Sequence, residues 1–572
     1  MRHWRKNSGG GVAGTLVLLV VLTFSISLAA SAVQAPGGGN LLPAANVQSD
    51  AGAEGAVAPT LKNLGKHVFP VTTKSARAQL FVNQGMNLSY GFNHAEAGRA
   101  FAEAARLDPD CAMAYWGQAL VLGPNINLPM DPANEPKAYG LMQKALALKA
   151  QASPREQAYI DALAQRYSGN AADRQAGDRA YADAMRRVHQ QFPDDLDAAT
   201  LFAESLMDLR PWNYWTRDGK PYPETKEAVA VIQPVFERNA EHPGALHFWI
   251  HLMEPVYPER AEAAADRLQG LMPGAGHIVH MPAHIYLRVG RYGDAVKANL
   301  KAVAADEDYI SQCRIQGFYP VSYYPHNIHF LWYAAAMQGR RGLAIESARK
   351  VAAKITPEVM RERPFLQFFT IIPDYALVRF GQWDEILSQA PPAFDGPLVI
   401  GIRHYARGRA FAGKAQIDRA GEELAELRRL AADPKLHEEM LWSPNSIGAV
   451  LDLAREVLAG EIAAAKGDYD AAIAHLDTAV RLEDGLIYIE PPEWHTPVRQ
   501  ALGEVLLRAG RAGEAETVYW EDLKRNPENG WALHGLWRAL RAQGKQEQAA
   551  LVEQRFRAAW ADADPELRAS LP

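Results

Sequence analysis

From about residue 61 onward, apolar side chains recur at every third or fourth position, and short stretches of Gly, Asp or Pro break the rhythm. That period belongs to amphipathic helices, with one face buried and the other polar. Alternation at every second residue, which a half-buried strand needs, is missing, so the pattern predicts an all-α protein. The one long unbroken apolar stretch lies near the N-terminus, where Arg2, Arg5 and Lys6 precede Thr15 to Ala30. A basic start, an apolar core and A-x-A-like sites at Ala30-Ser-Ala32 and Val33-Gln-Ala35 make residues 1–35 a secretory signal. The alternative is an uncleaved membrane anchor over 11–32. Residues 36–60, rich in Gly, Ala and Pro, lack periodicity and read as a flexible tether. The working part is expected outside the cytoplasm, periplasmic or secreted, touching a membrane only through an uncleaved N-terminal segment.

One segment of the helical pattern recurs. Gly85 is followed by Ala97, Phe101, Ala104 and Pro109, and Leu502-Gly503, Ala515, Tyr519 and Pro527 keep the same frame much later. Glycine to alanine, and that alanine to proline, are 12 residues apart in both. Ala261, Ala295, Ala344, Ala420, Ala472 and Ala549 mark further units, and Ala261 to Ala295 and Ala515 to Ala549 each span 34 residues. Gly408 and Gly460 stand ahead of their alanines by the same 12. The frame resembles the tetratricopeptide repeat, a 34-residue helix pair, from about 76 to 560. The resemblance implies an α-solenoid, a right-handed superhelix of helix pairs whose first helices line a concave groove. It divides into an N-terminal array over 61–345 and a C-terminal array over 346–572. For function it implies a peptide, protein or small-molecule ligand in the groove, and nothing narrower.

Three stretches interrupt the frame, at 121–133, 209–223 and 313–325. They carry Trp212, Tyr214, Trp215, Phe318, Tyr319, Tyr323 and Tyr324, where plain loops would carry Ser, Gly and charge. Such aromatics pack either on the solenoid itself or on a ligand; Trp212, Trp215, Tyr323 and Tyr324 are candidates for a substrate pocket.

Composition then removes several chemistries. The net charge of −6, from 66 acidic and 60 basic residues, argues against a nucleic-acid binder. Two cysteines, Cys111 and Cys313, allow one disulfide at most and neither a thiolate zinc cage nor an iron–sulfur cluster. Past the N-terminal signal, G-x-G-x-x-G, Walker and G-x-S-x-G motifs do not occur.

Histidine is ordinary in total, 17 of 572, but not in placement. His247, His251, His277, His280, His284, His326 and His329 crowd into one region. His247-x3-His251 recurs 33 residues later as His280-x3-His284, and His277-x2-His280 recurs 49 residues later as His326-x2-His329. The same 49 separates Ala295 from Ala344, so the insertion at 313–325 accounts for the longer step. Histidines at i and i+4 share a helical face, and successive first helices of such an array run about 10 Å apart. Their imidazoles are therefore placed to approach a common ion within about 2 Å. All seven are candidate metal ligands. The bland alternative is a packing histidine propagated by repetition, or a polar lining of the groove.

Imidazole without thiolate suits zinc or copper, with iron less fitting. Six histidines divided into two sets of three would resemble a dinuclear copper site of the kind that handles dioxygen. Phe248 stands where the glutamate of H-E-x-x-H would be, so a zincin protease has no support. Glu254, one turn beyond His251, is placed to add an oxygen ligand or to orient an imidazole. Pro282 costs nothing in a first helical turn. In the segment from Glu490 to Arg499, Glu490, Glu493 and His495 face the cluster if the superhelix coils around, and form a rigid Pro-rich connector otherwise. Two readings follow. One is an exported solenoid with a histidine metal centre, an oxidoreductase, a hydrolase or a metal-handling protein. The other is a periplasmic scaffold for protein–protein interaction, with no metal and no catalysis.

Overall fold

Small residues at fixed steps decide how the helices pair. Ser75 caps α1 (Ala76–Tyr90) by accepting from the N–H of Ala78, and Asn93 caps α2 (His94–Leu107) by accepting from that of Glu96. Phe101 of α2 lies over both Gly85 and Gly117, where a β-carbon would come within 2.7 and 2.4 Å of its ring. Far along the chain, Tyr519 lies in the same way over Gly503 and Gly535, with the corresponding approaches 2.5 and 2.1 Å. One aromatic of each second helix is thus wedged between its own first helix and the next. The marker alanines Ala97, Ala261, Ala295, Ala344, Ala420, Ala472, Ala515 and Ala549 are all buried at these contacts.

The computed structural model describes residues 55–312, 319–440 and 444–570. The signal at 1–35, most of the tether, Cys313 and Phe318 lie outside the described residues. Within them the chain is an α-solenoid of consecutive antiparallel helix pairs. Among the described residues no strand appears beyond three isolated bridges, and no helix is long and apolar enough to cross a membrane.

Four features position the site. The helices α3 (Pro243–Met253), α4 (Gly276–His280), α5 (Pro282–Arg288) and α7 (Tyr323–Met337) are first helices of successive pairs, with α6 (Tyr292–Gln312) packed between α4–α5 and α7. α4 and α5 are two halves of one first helix. Pro282 opens the second half, and Met281 between them keeps helical angles (φ −49°, ψ −38°). The missing proline N–H divides the helix without redirecting it.

The C-terminal pairs α8 (Gly530–Ala542) and α9 (Gln546–Ala559) dock on the end of α7. Trp531 and Trp560 donate their indole N–H groups to the carbonyls of Ala336 (3.0 Å) and Met337 (3.2 Å). That docking is accompanied by the approach of segment 486–497 to α3 and α5: Tyr488 lies 3.4 Å from Glu254, and Glu490 3.4 Å from His284.

At the other end, residues 57–73 run along α1, turning at Asn63 (φ 63°) and Gly65 (φ 88°) and gripped by a row of side-chain amides. Gln84 takes the N–H of Leu61 (2.9 Å) and gives to the carbonyl of Pro59 (3.0 Å). Asn83 takes the N–H of Phe69, Gln79 gives to its carbonyl and takes the N–H of Val71, and Asn87 gives to the carbonyl of His67.

Candidate metal centre

The histidine spacing becomes geometry through the repeat. His247 and His251, one turn apart on α3, meet His277 of α4; His280 and His284, spanning α4 and α5, meet His326 of α7. Each triad is an i,i+4 pair from one first helix closed by a histidine from the next. Within each, one nitrogen from every imidazole lies within 4.8 Å of the other two. The triads are adjacent, with ring centroids 5.6 Å apart for His251 and His284 and 5.8 Å for His277 and His280.

What surrounds the rings fixes where their protons sit. Nδ1 of His247 lies 2.6 Å from the carbonyl oxygen of Tyr90, which can only accept, so the proton is on Nδ1. Nδ1 of His251 donates to Glu254 Oε1 (2.8 Å), and Nδ1 of His284 lies 2.5 Å from Glu254 Oε2 as an ion pair. Nδ1 of His280 donates to Oδ1 of Asn299 (2.7 Å), whose own amide is oriented by donation to the carbonyl of Ala295. Four imidazoles therefore turn Nε2 inward. His247 and His251 bring these atoms to 3.1 Å, His280 and His284 to 2.9 Å. His247 and His251, two neutral rings with protons committed outward, present bare lone pairs to each other, a repulsive arrangement unless a cation lies between them. Nitrogens bound to one ion at about 2 Å are spaced by roughly this distance. His277 adds a further sign: its ring is buried and neither nitrogen has a hydrogen-bond partner. A buried polar group of that kind is costly unless something else satisfies it.

The electrostatics set His284 apart from the other ligands. Burial, and then the neighbouring imidazoles, hold His247, His277, His280 and His326 well below the usual histidine range, in the neutral form a metal requires. Burial works against a charge on His284 too, but Glu254 and Glu490 outweigh it and carry its pKa to about 9. At neutral pH a proton therefore takes the cation's place between His280 and His284. Glu254 stays ionised despite burial, brought down to about 2 by His284 and His251.

Each triad carries a phenylalanine. Phe92, in a left-handed conformation (φ 56°), sits 4.5 Å from His247 and 5.5 Å from His277, centroid to centroid. Phe330 sits 4.4, 4.4 and 4.8 Å from His280, His284 and His326. His326 is the one ring of the six that is only half-buried. Trp212, itself half-buried, meets His251 edge-on at 5.2 Å, and Tyr323 meets His277 edge-on at 4.8 Å.

Other sequence candidates lie elsewhere. His329 stacks on Trp332 (5.4 Å, 6°) and meets the edges of Phe368 and Phe369, so aromatic packing holds its ring away from both triads. Trp215 donates to the carbonyl of Leu252, and Tyr324 donates to Glu307 under Lys354; neither meets a triad histidine. The Pro-rich segment divides. Glu490 lies 3.4 Å from His284 and 3.6 Å from Arg288, whereas His495 stacks on Tyr375 at 4.3 Å, with Glu493 beside that tyrosine. The glutamate-directed imidazoles and the two phenylalanines were not all evident beforehand. Tyr90 acts through its backbone, which no side-chain pattern reveals. Asn299 had a signal: it occupies the step at which Ala265 and Ala348 pack in neighbouring units.

A second cluster, His67, Asp197 and His242, has the composition of a metal site but not its proton arrangement. Nδ1 of His242 accepts from the N–H of Ala245 as a helix cap, so the proton sits on Nε2, facing Asp197 at 3.3 Å. His67 and the Tyr90 hydroxyl also turn to Asp197 (2.9 and 2.6 Å). This is a satisfied structural network.

By sequence, no family model and no curated protein matches the chain. Solved structures it resembles include the APC/C hetero-tetramer Cut9–Hcn1 (16% identity, 81% of this chain and 76% of that chain, TM-score 0.30). The human IFIT1 dimer with m7Gppp-AAAA gives 12%, 86% and 92%, with a TM-score of 0.31. The P58(IPK) TPR domain gives 12%, 82% and 99%, with a TM-score of 0.21. The fold rests on the chain's own helices: glycine, alanine and aromatic positions at fixed steps build the helix pairs of a tetratricopeptide-like α-solenoid.

Proposed function

We propose that this α-solenoid is a dinuclear metalloprotein in which His247, His251 and His277 hold one ion and His280, His284 and His326 a second. The ions are copper, and the activity is oxidoreductase chemistry with dioxygen. The observation that carries the reading is the inward Nε2–Nε2 approach of 3.1 Å between His247 and His251, whose Nδ1 atoms are engaged outward. Six imidazoles without a carboxylate or thiolate among them suit copper or zinc over magnesium, calcium or an iron–sulfur cluster, and nitrogen sites bind copper most tightly in the divalent series. Two such copper ions supply a redox pair able to bind or reduce dioxygen. The chain's own residues do the rest. Glu254, Asn299 and the Tyr90 carbonyl orient the rings, Phe92 and Phe330 keep water from their faces, and the half-buried His326 and Trp212 mark the side from which a small molecule approaches.

The scaffold reading has less to stand on at the N-terminal end. The face of α1 that would grip an extended peptide already grips residues 57–73 of the same chain.

Metal analysis of protein purified in copper-replete medium tests the proposal. About two copper ions per chain are expected, with oxygen uptake in the presence of a reductant; fewer than about 0.2 ion per chain sinks it, since a preformed multi-histidine site retains its metal. Zinc at the same stoichiometry, without oxygen uptake, would replace the copper assignment with a hydrolytic one.

A further inference from the structure

Beyond the six ligands, the groups that orient them are shared unequally. Asn299 touches His280 alone, and the Tyr90 carbonyl His247 alone. Glu254 differs. It is fully buried at the C-terminal cap of α3, one turn after His251, and its carboxylate faces both triads. Oε1 takes the proton of His251 from the first triad at 2.8 Å, and Oε2 is ion-paired with Nδ1 of His284 from the second at 2.5 Å. Its backbone carbonyl also accepts from Arg288 (3.2 Å), which places α5 against the end of α3. Glu490 lies 3.4 Å from His284 of the second triad and 3.6 Å from Arg288.

Resting on the dinuclear reading, we propose that Glu254 is the positioning residue common to both metal positions: one carboxylate holds one ligand of each triad in the tautomer that frees Nε2. The chemistry demands a carboxylate. Each of its oxygens accepts one imidazole N–H, and an amide of the same shape accepts at one atom and donates at the other. With an amide, one of the two rings must either face N–H to N–H or move its proton to Nε2, where it blocks the lone pair that binds the ion. Outer partners of this kind typically alter metal affinity by about 10–100-fold.

The test uses full-length protein, with binding of cobalt(II) and copper(II) followed by elemental stoichiometry and by the visible and paramagnetic-resonance spectra of the bound ions. In Glu254→Ala both ions should bind about 10–100-fold more weakly than in the unaltered protein. Glu254→Gln should lose at least one ion at concentrations that saturate the unaltered chain, and Glu254→Asp should recover part of the loss. Asn299→Leu should weaken one ion and leave the other. Retention of either ion at unaltered affinity in Glu254→Ala overturns the shared role, as does loss of both ions in Asn299→Leu, because any change in the core would then empty the centre. If Glu254→Ala does not fold, judged by helix content and melting of the metal-free protein, Glu254→Gln decides: two ions at unaltered affinity overturn the proposal. Failure of the unaltered protein to bind two ions is separate, and overturns the dinuclear reading itself.

Discussion

At the scale of single residues, the two triads make separable demands. His277 and His326 each close one triad from the next first helix, so His277→Ala and His326→Ala should each remove one ion and leave the other triad intact. Stoichiometry in the two variants and their combination checks this; loss of both ions from either single variant would mean that the triads are one site. A second residue-scale expectation concerns Asp306. Its carboxyl is buried and receives the hydroxyl of Tyr319 (2.8 Å) and the amide of Asn327 (2.7 Å), with Glu307 alongside. Burial raises its pKa to about 7 even though those two donors favour the anion. A carboxyl whose folded pKa lies above its unfolded value binds more protons when folded, so it contributes stability that is full below about pH 4 and is lost as pH rises through about 7. Asp306→Asn should therefore unfold at a higher temperature than the unaltered protein at pH 8, and the difference should shrink at pH 5. A difference that is equal at both pH values would contradict the assignment.

At the scale of elements, the glycines that receive an aromatic ring decide how closely helix pairs approach. Gly117→Ala and Gly535→Ala place a β-carbon 2.4 and 2.1 Å from the rings of Phe101 and Tyr519. Each should cost roughly 1–3 kcal/mol of stability, as overpacking of a tight core does, whereas Gly140→Ala, with open space around it, should not. Urea denaturation of the three variants measures this. These elements also show what was legible in advance. Small and aromatic residues at fixed steps are dictated by local helix–helix contact, so the repeat and its phase could be read from spacing alone. The histidine triads were legible for the same reason, since they ride on that phase. His329 shares the phase but not the site, because its neighbours Trp332, Phe368 and Phe369 come from a helix turn and a segment whose packing no local rule announces. The reach of Glu490 to His284 depends on where a segment some two hundred residues away returns, and only the fold settles that. Phe330 was within reach of inspection, one turn after His326, yet an aromatic at that step is ordinary in any helix core.

At the scale of the whole molecule, a solenoid's stability is close to a sum over units and the interfaces between neighbours. Each triad bridges one such interface, α3 to α4 and α4–α5 to α7, so two ions would fasten three consecutive units in the middle of the chain. An ion present at a thousand times its dissociation constant adds about 4 kcal/mol to the state that binds it. In a linear array that gain need not spread evenly. The units containing α1 and α2, whose contacts are held by Phe101 and by the segment at 57–73, touch the triad rings through Tyr90 and Phe92. Those containing α8 and α9 meet α7 through Trp531 and Trp560. Hydrogen exchange with and without copper should accordingly show added protection concentrated in residues 243–288 and 323–337, with little change at 94–107 and 546–559. The protection should vanish when His247 and His280 are both replaced by alanine. A uniform rise over the whole chain would mean that the array unfolds as one cooperative unit, and no rise anywhere would mean that the histidines do not fasten it.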